Sequence, residues 1–139
     1  MTPKNRFELC EKLSTDLKQV NPFIDRIFGE LSAYVKSENQ LFKVKLALEE
    51  AITNAMRHGN SLKASRKVTI HIVLDHGEIR LDVSDEGKGF NPKAVPDPTQ
   101  PGYSENMPGG RGIFLIRKMM DTVEFYDGGR GVRMAKKLT

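Results

Sequence analysis

Three stretches hold the residue types from which a binding or catalytic site could be assembled. Gly109-Gly110-Arg111-Gly112 stands immediately before a helical pattern. The first turn of a helix has unpaired N–H groups, and glycines let an anion approach them closely, so this is a candidate phosphate site. Arg111 would add a charge-assisted hydrogen bond. Asp85-Glu-Gly-Lys-Gly89 follows a strand pattern; its aspartate can accept a hydrogen bond from an exocyclic amine, while Gly87 and Gly89 leave room for a flat ring. In the third stretch, Leu46 to Asn60, Glu50, Asn54 and Arg57 fall at i, i+4 and i+7. On an α-helix at about 100° per residue they share one stripe, opposite an apolar sector of Leu41, Val44, Leu48, Ala51, Ile52 and Ala55. Taken singly, each motif also has a plain structural reading: a loop end, an Asp-x-Gly turn and a solvated helix face.

The elements that must position these motifs are legible from periodicity. Alternation over residues 6–10 predicts an edge strand. Asn21-Pro22 caps a helix expected over about 22 to 36, with Ile24, Ile27, Phe28, Leu31, Tyr34 and Val35 at helical spacing. The Leu46–Asn60 helix closes at Gly59-Asn60-Ser61. Val68–Leu74 and Ile79–Asp85 alternate as half-buried strands about the turn at 75–78, and pleat parity puts Asp85 on the inward face with Ile79, Leu81 and Val83. A carboxylate so placed is either satisfied by a local turn or awaits a ligand, because burying it unpaired is costly. Residues 91–109, rich in proline and glycine, read as a mobile lid. A helix over 113–120 buries Ile113, Ile116 and Met120, and a final hairpin runs Thr122–Tyr126 and Val132–Leu138 around 127–130.

The chain of 139 residues, 38% hydrophobic and 29% charged, suits one globular domain with a single core over residues 1–139. No apolar run nears the roughly 20 residues of a membrane span, and the N-terminus lacks the apolar stretch of a signal peptide, so a cytoplasmic protein is expected. Cys10 is the only cysteine and no Cys/His cluster has metal-ligand spacing, which excludes disulfide and zinc frameworks. The net charge of +4 favours an acidic partner, yet Lys and Arg are scattered, with Lys63, Arg66 and Lys67 the densest group, so nucleic-acid binding is not expected. The succession of elements predicts an α/β (α+β) two-layer sandwich, a mixed, mostly antiparallel sheet with helices on one face.

In this order, Glu-x-x-x-Asn on a helix, Asp-x-Gly-x-Gly after a strand and Gly-x-Gly at a helix start resemble the GHKL ATPases with the Bergerat nucleotide-binding fold. Leu48–Ala55 with His58-Gly59 is most similar to the bacterial anti-sigma-factor serine/threonine kinases, single domains of about this size. The resemblance is clear over 46–60, 81–92 and 109–121 and diffuse before residue 40. It implies ATP and Mg²⁺ as cofactors, with Asn54 on the metal, Asp85 on the adenine amino group, and Gly87 and Gly89 lining the base pocket. Gly110, Arg111 and Gly112 would hold the phosphates under the 91–109 lid, Arg57 would be a further phosphate contact, and Glu50 would be the general base. A carboxylate there suits attack by a serine hydroxyl. Histidine kinases typically carry Asn at that position and a dimerisation helix bearing the phosphorylated His, whereas this chain has Glu and no such helix. His58, His71 and His76 read as structural or surface residues.

One departure stands out. Gly131 is followed by Val132 where the family usually has Gly-Thr, so the hydroxyl that completes the adenine network is missing. The implied function is an anti-sigma factor with kinase activity. It would bind a sigma factor, phosphorylate a STAS-domain anti-anti-sigma protein, form a homodimer, and engage neither nucleic acid nor membrane directly. The alternatives are a non-catalytic nucleotide-gated protein-binding module and the output domain of another phosphorelay.

Overall fold

Alternation of apolar side chains puts every second residue of a strand on one face, and in this protein that face meets the helices. The computed structural model describes residues 6–94, 98–100 and 110–138. Five strands, β1 (Arg6–Ser14), β2 (Lys67–Asp75), β3 (Glu78–Ser84), β4 (Thr122–Tyr126) and β5 (Gly131–Lys137), form one sheet in the order β1-β2-β3-β5-β4. The inward set is Val68, Ile70, Ile72 and Leu74 from β2, Ile79, Leu81 and Val83 from β3, and Val132 and Met134 from β5, all buried. Three helices cover them: α1 (Val20–Leu31), α2 (Glu38–Asn54) and α3 (Gly110–Met119). Ile24, Ile27, Leu31, Leu48, Ile52 and Ile116 are each almost fully buried in the same cluster. Burying a side chain of this kind contributes about 1.5–3 kcal/mol, which makes this layer the main source of stability.

The two-layer sandwich with helices on one face is as expected, but the sheet is not mixed. All four described pairings are antiparallel. β3 and β4 do run the same way; β5, returning from the last hairpin, inserts between them, so their parallel relation never becomes a pairing.

Element boundaries also moved. β1 extends the predicted edge strand to Ser14, pairing with β2 over its whole length. α1 begins at Val20 rather than Pro22, because a 3₁₀ turn at Leu17–Gln19, capped by Asp16 accepting from the Lys18 N–H at 3.0 Å, runs straight into it. Pro22 then sits in the first turn, where its missing N–H is not needed. α2 starts at Glu38, with Ser37 Oγ accepting from the Gln40 N–H at 3.2 Å as its N-cap. Its last segment, Ala55–Gly59, is a π turn, closed by the Asn60 N–H donating to the Ala55 carbonyl at 2.7 Å.

On the open face of the sheet, the Tyr126 hydroxyl donates to Asp82 Oδ1 at 2.5 Å and Arg133 stacks on the Tyr126 ring at 4.0 Å. Burial, then the bond to Asp82, pushes the Tyr126 phenol up to about 12. Its ring occupies the space a side chain at Gly131 would take, 2.1 Å from an added Cβ, so the start of β5 is braced from outside. The lid expected over 91–109 falls largely outside the described residues; the part described contains a 3₁₀ turn at Pro92–Ala94. Among the described residues no helix is long and apolar enough to cross a membrane.

Candidate active site

Glu50 and Asn54 lie one turn apart at the end of α2, both half-buried. Gly112, the third residue of α3, packs directly on them. A Cβ added there would stand 2.7 Å from Asn54 Nδ2 and 3.0 Å from Glu50 Oε2, so only glycine lets the start of α3 approach this closely. Burial first and neighbouring Glu49 second push the Glu50 carboxyl above the usual glutamate range, opposed by Arg111 and Arg57. Arg111 is exposed beside α3, and Gly110 is that helix's first residue.

The opposite wall is built around Asp85. Its Oδ1 accepts the Gly87 N–H at 2.8 Å, and its own N–H donates to the Arg130 carbonyl at 2.9 Å. The local turn therefore occupies one carboxylate oxygen and leaves Oδ2 beside Gly59, where an added Cβ would fall 2.2 Å from it. A Cβ on Gly87 would collide with the Gly59 carbonyl at 1.7 Å, so the two backbones touch. Gly89 has φ +79° and abuts the Gly128 carbonyl, while the Phe90 N–H donates to that same carbonyl at 2.8 Å. Burial raises the Asp85 pKa, with the Gly87 N–H and then Arg130 acting against the rise. Arg130 Nε donates to the Gly87 carbonyl at 2.8 Å, tying the β4–β5 turn to the Asp85 turn.

Between these walls lies a cavity of about 450 Å³. Asn54 and Asp85 both line it, and its apolar surface includes Val83, Phe125, Val132, Ile113 and Ile116. Glu50 and Gly112 border Asn54 without lining the cavity. Gly87 and Gly89, expected in the base-pocket lining, support its wall from behind, and Gly59, Gly129 and Gly131 stand in the lining instead. Arg57, expected on the Glu50–Asn54 stripe, is exposed and outside the cavity, and His58 lines it. His58 follows Asn54 by four residues and so lies on the same side of the helix, while Arg57 stays near enough to Glu50 to lower its pKa. Burial and the adjacent Arg57 lower the His58 pKa, favouring neutral imidazole.

His58 is expected among surface or structural residues and Arg130 only in a hairpin turn; helical spacing of four residues puts His58 on the side of Asn54, whereas periodicity carries no signal for Arg130. Val132 was marked as a departure, and it lies in the lining, paired with Val83 and Phe125 on the neighbouring strands. Of the lid, Asn91 and Ala94 reach the cavity, as does Phe90 just before it, and Gly109 lies outside the described residues.

Residues 13–136 match the model of the histidine kinase-like ATPase domain. The chain belongs to that family. Within it, the relatives place the chain in the branch of anti-sigma factors and their serine kinases. The anti-sigma F factor of Oceanobacillus iheyensis is 33% identical over 107 residues, covering 73% of this chain and 72% of the relative. The anti-sigma F factor of Clostridium perfringens is 32% identical over 103 residues, covering 71% and 74%. The serine-protein kinase RsbW of Listeria innocua is 38% identical over 99 residues, covering 67% of this chain and 63% of the kinase, so the chain spans under two thirds of that relative. Membership of this ATPase family implies the use of ATP.

Proposed function

We propose that the protein is an ATP- and Mg²⁺-dependent protein serine/threonine kinase that holds a sigma factor and phosphorylates a STAS-domain anti-anti-sigma protein in the cytoplasm. The observation carrying this reading is the packing of Gly112 on both Glu50 and Asn54, which sets the helix start that would receive phosphates against the carboxylate that would act as base. Glu50 would accept the proton of the substrate hydroxyl as its oxygen bonds to the γ-phosphorus and the bond from that phosphorus to the β–γ bridging oxygen breaks, releasing ADP. Its raised pKa makes it a better proton acceptor than an ordinary surface glutamate. Asp85 Oδ2 would take the adenine amino group, and the first N–H groups of α3, with Arg111, would take the phosphates. Arg57 would add long-range positive charge only.

Asn54 fits a place in the metal's shell. Its amide is half-buried in the cavity wall and makes no side-chain hydrogen bond among the described residues. No His, Cys, Asp or Glu cluster among the described residues suits a cation, so phosphate oxygens and water would complete the octahedron. When bound, Mg²⁺ neutralises charge on the transferring phosphate. The relatives' names support the sigma-factor partner and the serine substrate. The STAS partner and a homodimer rest on the sequence resemblance. Incubation with labelled ATP, Mg²⁺ and a cognate STAS-domain protein should label a serine or threonine of that protein, and undiminished transfer by Glu50→Ala would remove the assigned base.

A second reading is a nucleotide-gated binding module without transfer. It is favoured by Val132, which gives the floor beside Val83 and Phe125 no hydroxyl. Tight Mg-ATP binding with no labelled partner would establish it, and absence of ATP binding would sink both readings.

A further inference from the structure

The contact that defines the base end of the cavity has little to hold it together. Gly59 and Gly87 meet backbone to backbone with no side chain between them, and Gly59 lies against Asp85 Oδ2. The hydrogen bond from the Gly87 N–H to Asp85 is internal to the turn and does not join it to the helix. Arg130 ties the turn to the β4–β5 side only.

The link to the helical side is Asn60. Its side chain is fully buried at 0% exposure and does not line the cavity. Oδ1 accepts the Glu86 N–H at 2.8 Å, one residue from Asp85. Nδ2 donates to Thr15 Oγ1 at 2.9 Å and to the Lys67 carbonyl at 3.0 Å. Thr15 is itself anchored, its hydroxyl donating to the Arg66 carbonyl at 2.7 Å. Glu86 is held a second time, its Oε1 accepting the Lys67 N–H. One buried amide thus uses its acceptor and both donors to fix the Asp85–Gly87 turn to the ends of β1 and β2. Its own N–H closes the π turn that delivers Gly59. Only an amide fits this set: a carboxylate has no donor for the Lys67 carbonyl, and a hydroxyl cannot reach three partners.

We propose that Asn60 is the positioning residue that aims Asp85 Oδ2, and so sets the protein's discrimination for a base bearing an exocyclic amine. This rests on the ATP reading above. The residues assigned to the phosphates lie on α2 and α3, away from this bond set. Loosening Asn60 therefore acts on base selectivity and spares phosphate affinity.

The test compares dissociation constants for Mg-ATP and for Mg-purine riboside triphosphate, which lacks the amino group, in wild type, Asn60→Ala and Thr15→Val. Wild type should prefer ATP by about 10- to 100-fold, the range of a hydrogen bond to a charged acceptor. In Asn60→Ala the preference should fall to below about threefold, with affinity for purine riboside triphosphate within about threefold of wild type. Thr15→Val, which removes one of the amide's partners, should shift the ratio the same way by a smaller factor, and it decides the matter if Asn60→Ala does not fold. Variants that melt cooperatively yet keep the wild-type ratio, or lose both nucleotides in parallel, would overturn the assignment. A wild type that binds ATP no better than the amine-free analogue would bring down the adenine reading of Asp85, and this inference with it.

Discussion

At the Asp85 end of the cavity nearly every polar group is already engaged, through the Gly87, Glu86 and Arg130 bonds and the buried Asn60 amide. At the Glu50–Asn54 end neither side chain makes a hydrogen bond among the described residues, and the contact with α3 is the bare packing of Gly112. The two ends differ as their tasks would require. Recognition of a flat base needs one acceptor held still, whereas phosphates, a cation and an incoming hydroxyl need polar groups that are not yet satisfied. Polar groups left unpaired in a half-buried wall bond to water in the free protein and can exchange it for a ligand's groups. Both carboxylates are pushed up by burial, so each end also carries a cost in the free protein.

That contrast can be broken at its chemical end first. Glu50→Ala should lower phosphoryl transfer by about 10²–10⁴-fold with the ATP dissociation constant within about threefold, measured by labelled-phosphate transfer and calorimetry. A matching loss of binding would show that the ends are not separate. Because the Glu50 pKa lies above the ordinary glutamate range in the free protein, wild-type kcat/KM should climb as pH rises through that raised value and fall below it, which a pH–rate profile checks. At the other end, Asp85→Asn should weaken ATP binding by about 10- to 100-fold and leave kcat at saturating ATP nearly unchanged, the reverse split between KM and kcat. Gly112→Ala drives a Cβ into Asn54 and Glu50 and should reduce kcat about tenfold through misplacement while the protein still folds, as circular dichroism would report.

The smallest effect is on stability. Glu50 has its folded pKa above the unfolded value, so the protonated form stabilises the fold below the unfolded pKa, and that contribution is lost as pH rises through the folded pKa. Glu50→Gln should therefore raise stability slightly near pH 7, by less than about 1 kcal/mol because solvent screens a half-buried charge, and should give no gain near pH 4. Thermal melts at the two pH values read this directly, and a gain larger at low pH would contradict it.

How far the site could be read in advance varied by residue. Glu50 and Asn54 were paired correctly because i, i+4 on one helix is a local geometric relation. Pleat parity puts Asp85 inward, and the structure shows the local-turn alternative for one oxygen, Oδ1 accepting the Gly87 N–H, with Oδ2 beside Gly59. Arg57, expected on the stripe of Glu50 and Asn54, stands outside the cavity yet near enough to Glu50 to lower its pKa, whereas the bonds of Asn60 to Thr15, Lys67 and Glu86 lie beyond any local window. Gly87 and Gly89, expected to line the base pocket, instead make close backbone approaches to Gly59 and Gly128.

The order of residues alone settled which faces turn inward, where strands and helices alternate, and which helix turn carries a carboxylate and an amide together, since these follow from periods of two and 3.6 residues. Packing settled the rest: that β5 divides β3 from β4, that Gly112 meets Asn54, and that a buried asparagine fastens the Asp85 turn to the far end of β1. Partners of that kind are chosen only once burial has removed water as the competing donor and acceptor, and the linear chain holds no record of which distant group will be nearest when that happens.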